Sequence, residues 1–87
     1  MLFTIDNRRF EFLMASSVST RDGMGWELWE YVGGDWNLLI EIFRDDQLRK
    51  IDFTAFGNIE VPFAAMEVLL NHFNENGGKD FHIYSEE

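Results

Sequence analysis

The sequence predicts an α+β fold: a four- to five-stranded antiparallel β-meander with one C-terminal α-helix packed on one face. Turn residues at Asp6-Asn7, Gly33-Gly34-Asp35 and Asp45-Asp46 cut the chain up to Phe56 into short apolar stretches. Between Pro62 and Asn76-Gly77-Gly78 the apolar positions switch to spacings of three and four. A third observation concerns coverage. Trp26, Leu28, Trp29, Tyr31, Trp36, Leu38, Leu39, Ile40, Ile42, Phe43, Ile51, Phe53 and Phe56 cannot all share one sheet face, because strand side chains alternate. One helix covers one face, so the other needs a cover from outside the chain.

The first strand is expected over residues 2–5 and the second over 8–15, with Phe10, Phe12 and Met14 on one face. If Asp6 and Asn7 are the two central turn residues, Phe3 stands opposite Phe10, and turn chemistry agrees with the apolar pattern. Residues 16–25 are polar and Gly-rich and read as a loop, ordinary hairpin connection or mobile contact loop, with Met24 held between two glycines. Strands over 25–32 and 36–44 follow, and their register has two solutions. A two-residue Gly33-Gly34 turn pairs Trp29 with Leu38 and Tyr31 with Trp36. A three-residue loop pairs Leu28 with Ile40 and Val32 with Trp36, and turns Glu30 inward, where it costs free energy unless paired. In both, a tryptophan lies on the face opposite Ile40.

The next strand is expected over 48–56. A two-residue Asp45-Asp46 turn would set Ile40 against Ile51 and Glu41 against Lys50, with Leu39 facing Asp52 and Phe43 facing Leu48 on a mixed outer face. The helix is expected over 62–75, with Pro62 at its first position and Phe63, Met66, Leu69, Leu70 and Phe73 as the core stripe. Ala65, Val68 and His72 form a flank, and Asn76-Gly77-Gly78 stops the helix. Residues 79–87 alternate Phe81 and Ile83 against His82 and Tyr84, as a final edge strand or a docked tail.

Composition narrows the function classes. The 87 residues are expected to form a single domain, 1–87, with 46% hydrophobic and 16% aromatic residues. Sixteen acidic residues against seven basic ones give a formal net charge of −9. That balance argues against nucleic acid or an anionic membrane as partner and favours a basic protein. There is no cysteine, which excludes disulfides and permits a reducing compartment. Met1-Leu2-Phe3-Thr4-Ile5 meets Asp6 before an apolar signal region develops, and no apolar run is long enough to span a bilayer. A soluble cytoplasmic domain is the expectation.

No constellation for chemistry emerges. His72 and His82 lack the neighbours of a metal site, and Asp45-Asp46 lack the ligand count for calcium, so neither a metal nor a cofactor is expected. Glu27, Glu30 and Glu41 could approach each other as an acid/base cluster, but nothing builds a cleft around them. Ser16, Ser17 and Ser19 have no evident base, and the glycines match no phosphate-binding loop. No catalytic residue is assigned. The residues expected to form an interaction surface are Met24, Trp26, Trp29, Tyr31, Leu39, Glu41 and Phe43.

The run from Arg21 to Trp29, then Glu41-Ile42-Phe43-Arg44-Asp45-Asp46, then Glu60-Val61-Pro62-Phe63, resembles a layout found in small uncharacterised bacterial proteins. In size, charge and layout the chain is also similar to the small acidic immunity proteins of bacterial toxin systems. That resemblance implies a non-catalytic protein that binds and blocks a basic toxin, and it carries over no functional residue. Three functions follow as expectations: an interaction or inhibitory module whose outer sheet face docks a basic partner, a homodimer closed by that face, or a small carboxylate-based enzyme.

Overall fold

In the computed structural model, which describes residues 1–17 and 22–81, a five-stranded antiparallel meander is followed by one helix. The strands are β1 (Leu2–Ile5), β2 (Arg8–Ser17), β3 (Gly23–Val32), β4 (Asp35–Asp45) and β5 (Lys50–Ala55), in spatial order of sequence, and α1 spans Phe63–Glu75. This is the α+β architecture the sequence predicts. The helix is too short and polar to cross a membrane.

The first hairpin follows directly from its turn. Asp6 and Asn7 both adopt positive φ, as a type I′ turn requires, and Phe3 pairs with Phe10, their rings stacked 5.5 Å apart. Strands β2 and β3 run further than expected. Ser16 pairs with Met24 and Ala15 with Gly25, so the expected 16–25 loop contracts and its middle, residues 18–21, lies outside the described residues.

Both expected β3–β4 registers occur, in different halves of the hairpin. Near the Gly33-Gly34 turn, Tyr31 pairs with Trp36 and Trp29 with Leu38; beyond it, Leu28 pairs with Ile40 and Trp26 with Ile42. A β-bulge at Leu39 absorbs the difference of one residue. Val32 pairs with Asp35, not with Trp36. The bulge brings Leu39 into the core and leaves it 2% exposed. The β4–β5 connection corrects a second expectation. It is a loop over residues 46–49, with the Leu48 amide donating to Asp45 Oδ1 and Arg49 at φ 56°. Ile40 therefore pairs with Ala55 and Glu41 with Thr54, four positions from the expected Ile51 and Lys50. A shift of four preserves parity, so Ile51, Phe53 and Ala55 still share the face of Ile40 and Ile42.

The core lies between α1 and that face. Phe10, Phe12, Trp26, Leu28, Ile40 and Ile42 pack with Ala65, Leu69 and Phe73. Trp26 meets Phe73 edge-on at 4.9 Å, and Phe12 meets His72 at 4.1 Å. The buried helix stripe is thus centred on Leu69 with Ala65 and Phe73, because small Ala65 lets the helix approach closely. Phe63 and Leu70, expected in the core, lie on the uncovered flank. Pro62 stands one position before the helix, at ψ 138°, and its carbonyl accepts from the amides of Ala65 and Met66. The helix stops where expected: Gly77 is left-handed and the Gly78 amide closes on the Phe73 carbonyl. The Arg44 guanidinium ties this end to the sheet by donating to the Gly77 carbonyl.

Glu30 points to the helix side and is buried, as one of the two registers required. It is paired. The Arg8 guanidinium grips both its oxygens at 2.7 and 2.9 Å and donates a further bond to the Glu60 carbonyl. That bidentate bond, with the charge behind it, holds the Glu30 carboxyl below its ordinary pKa despite burial.

Candidate functional site

The face opposite α1 has no covering element among the described residues, and strand alternation fixes what it presents. Its first cross-strand row is Thr4, Arg9, Tyr31 and Trp36; the next is Leu2, Glu11, Trp29 and Leu38. Beyond them come Leu13, Glu27, Glu41 and Thr54, then Ala15, Gly25, Phe43 and Asp52. Aromatic rings gather at the Gly33-Gly34 end, and carboxylates fill the middle.

At the aromatic end the side chains order one another. The Arg9 guanidinium lies 5.0 Å from the Tyr31 ring centre, and Tyr31 packs against Trp36 at 5.2 Å. Trp29 is held by its indole N–H, which donates to Glu27 Oε1 at 2.9 Å. Tyr31, Trp36 and Leu13 are all more than a third exposed, while Trp29 and Leu38 are half-buried. Large rings fixed by neighbours and partly open to water lose little entropy on binding, which suits them as anchors.

The expected surface residues divide. Trp29 and Tyr31 are brought together on this face. Trp26 is completely buried against Phe73, with Arg44 over its ring at 5.5 Å, and a partner cannot reach it. Met24 packs against the core rather than standing exposed in a loop. Leu39 is taken into the core by the bulge. Glu41 and Phe43 do belong to the outer face but are buried in it: Phe43 pairs with Gly25, and its ring reaches Gly23, where an added Cβ would come within 3.2 Å of it. An added Cβ on Gly25 would come within 3.0 Å of Glu41 Oε2. Trp36, Leu13, Leu38, Arg9, Glu11 and Glu27 complete the surface, although the sequence alone does not mark them as interaction residues. Their signal was parity counted outward from the two tight turns.

The carboxylate cluster weighed from sequence does not assemble. Glu27 and Glu41 stand directly opposite each other, but Glu30 lies on the other face with Arg8. Ser16 sits in β2, while Ser19 and His82 fall outside the described residues. His72 is packed on Phe12, with Asn76 Nδ2 donating to its Nδ1 at 2.8 Å. Among the described residues no three His, Asp or Glu side chains are placed to hold a metal.

Comparison with known proteins finds no matching family model, no matching curated protein and no matching solved structure.

Proposed function

We propose that this chain is a non-catalytic protein-interaction module that binds a basic protein through the outer face of its sheet, in the manner of an inhibitor or immunity protein. One observation carries the reading: the face without a helix sets Tyr31, Trp36, Leu13 and Trp29 beside carboxylates, with no second layer over them among the described residues. Charge selects the kind of partner. Glu11, Glu27, Glu41, Asp45 and Asp52 stand on this face against Arg9 and Lys50. A second copy pressed onto it would set like charges together, whereas a basic surface would be steered in and would pair with the acidic rows. This weighs against self-association through the same face. The absence of cysteine suits a reducing, cytoplasmic setting.

The test compares three forms of the tagged chain in affinity capture: the parent, Trp36→Glu on the outer face, and Phe63→Glu on the exposed helix flank. The proposal expects a basic partner that is retained by the parent and by Phe63→Glu, released by salt, and lost from Trp36→Glu. Retention by Trp36→Glu with loss from Phe63→Glu would move the binding surface to the helix side and overturn it.

A further inference from the structure

The edge of the sheet at β5 is a second surface, independent of the outer face. The Phe56 amide donates to the Leu39 carbonyl at 2.9 Å. By the alternation of an antiparallel ladder, Thr54 and Asp52 also turn their backbone groups toward β4. Ile51, Phe53 and Ala55 then turn theirs to the open side. Among the described residues β5 is last in the strand order; the edge strand or tail expected over 79–87 lies outside them from residue 82. All residues of β5 are exposed, and it contains neither proline nor bulge. Such an edge is a template for another strand.

Among the described residues nothing covers the helix side of the same edge either. Phe53 is 55% exposed and Phe63 75%, and Leu70 is exposed on the same flank of α1 as Phe63. Phe63 and Leu70 occupy the flank of α1 opposite His72, and His72 faces β2 through Phe12. Their flank is therefore the one on the β5 side.

We propose that β5 pairs antiparallel with β5 of a second copy of this chain. Charge is the argument for a second copy. The strand carries one cation, Lys50, and one anion, Asp52, and is neutral within a chain of −9. Two copies can meet here without the repulsion they would meet across the outer face. Pairing the open-side residues Ile51, Phe53 and Ala55 with one another puts the twofold axis on a residue of the strand. A twofold axis at Asp52 sets two carboxylates opposite each other, which is unfavourable. An axis at Ile51 or at Ala55 overlaps only one end of the strand, and one at Thr54 leaves Ile51 without a partner in β5. An axis at Phe53 engages residues 51–55: Phe53 meets its own copy, Ile51 meets the partner's Ala55, and Asp52 accepts a hydrogen bond from the hydroxyl of the partner's Thr54.

That axis stands perpendicular to the sheet. Both helices fall on one side, where the two Phe53 rings fill the space between the flanks bearing Phe63 and Leu70. Both outer faces fall on the other side, as one continuous bivalent platform.

Two measurements decide the matter without any partner protein. Light scattering on the full chain, from micromolar to millimolar concentration, should show the mass rise from 10.3 kDa toward double. Phe53→Glu, which sets two carboxylates on the axis at an exposed position, should stay at monomer mass with unchanged circular dichroism; Trp36→Glu should dimerise like the parent. Amide hydrogen exchange on the parent covers the case of a variant that fails to fold. The amides of Ile51, Phe53 and Ala55 should gain protection as concentration rises. A chain that stays monomeric throughout overturns the proposal, as does a dimer in which these three amides exchange freely. Failure here leaves the outer-face reading untouched, because that reading concerns the opposite side of the sheet.

Discussion

Replacing Arg8 with alanine tests the buried carboxylate of Glu30 by removing its partner. The guanidinium holds both Glu30 oxygens at 2.7 and 2.9 Å, on the helix side of the sheet. Removing one member of a fully buried ion pair costs roughly 3–5 kcal/mol, because the other charge is left desolvated. Here the carboxylate is buried, but Arg8 keeps 28% of its side-chain surface in water, so solvent already weakens the pair. A loss of about 2 kcal/mol is the working figure for Arg8→Ala. For a chain of this size that is a fall in Tm of roughly 8–16 °C.

The pH dependence adds a second readout. Arg8 lowers the folded pKa of Glu30, so the pair's contribution is present above the unfolded carboxylate's pKa and is lost as pH falls through the folded value. In Arg8→Ala burial acts alone and raises that pKa. Stability should then be lost as pH rises through the same region, reversing the slope. Adding Glu30→Leu to Arg8→Ala should recover most of the loss, since the uncompensated charge is gone. Thermal and urea denaturation of the parent, single and double variants between pH 3 and 8, on the order of the carboxylate range, measure all three effects. A single variant within about 0.5 kcal/mol of the parent, or a double variant no better than the single, would refute the reasoning.

Three further outcomes are expected. Leu69→Ala removes a fully buried side chain at the centre of the helix stripe and should cost about 3 kcal/mol in urea denaturation. Gly34 sits at φ 89° in the β3–β4 turn, so Gly34→Ala should cost roughly 1–2 kcal/mol by the same assay, while Gly33→Asn should be tolerated. His72 has its pKa lowered, first by burial and then by the nearby Met1 ammonium, with Glu75 opposing. Its contribution should be intact above the unfolded histidine pKa and decline as pH falls below it, and an NMR titration of the ring should show the lowered midpoint.

The turns carried most of the legible fold. Asp6-Asn7 and Gly33-Gly34 adopt the positive φ that their residue types favour, and each fixes the pairs beside it, Phe3 with Phe10 and Tyr31 with Trp36. The Leu39 bulge was not legible, because inserting one residue depends on how Leu39 and Ile40 both reach the core, which no local pattern specifies. The β4–β5 loop was misjudged in length: Asp45 and Asp46 are turn residues by type, yet Asp46 is used to pair with Arg44 at 2.8 Å. Parity survived that error, so the faces were right while the partners were not. In the helix, hydrophobicity favoured Phe63 and Leu70, whereas close packing chose Ala65. Of the surface residues, Trp29 and Tyr31 followed from the turn register. Leu39 was lost from the surface because the bulge turns it into the core, and Trp26 because it stands an odd number of residues from Trp29 and Tyr31 along β3, on the helix side.

The central claim is that the outer face, with its fixed aromatics among carboxylates, takes a basic surface. The chain's three tryptophans are placed to test it in one spectrum: Trp29 and Trp36 lie on that face and Trp26 lies in the core. With 5-fluorotryptophan at all three positions, fluorine NMR would be recorded while a short polyarginine peptide is added as the basic probe. The account predicts that the Trp29 and Trp36 resonances shift and return on adding salt, while Trp26 stays in place. Saturable binding of the peptide that leaves Trp29 and Trp36 unmoved would contradict it.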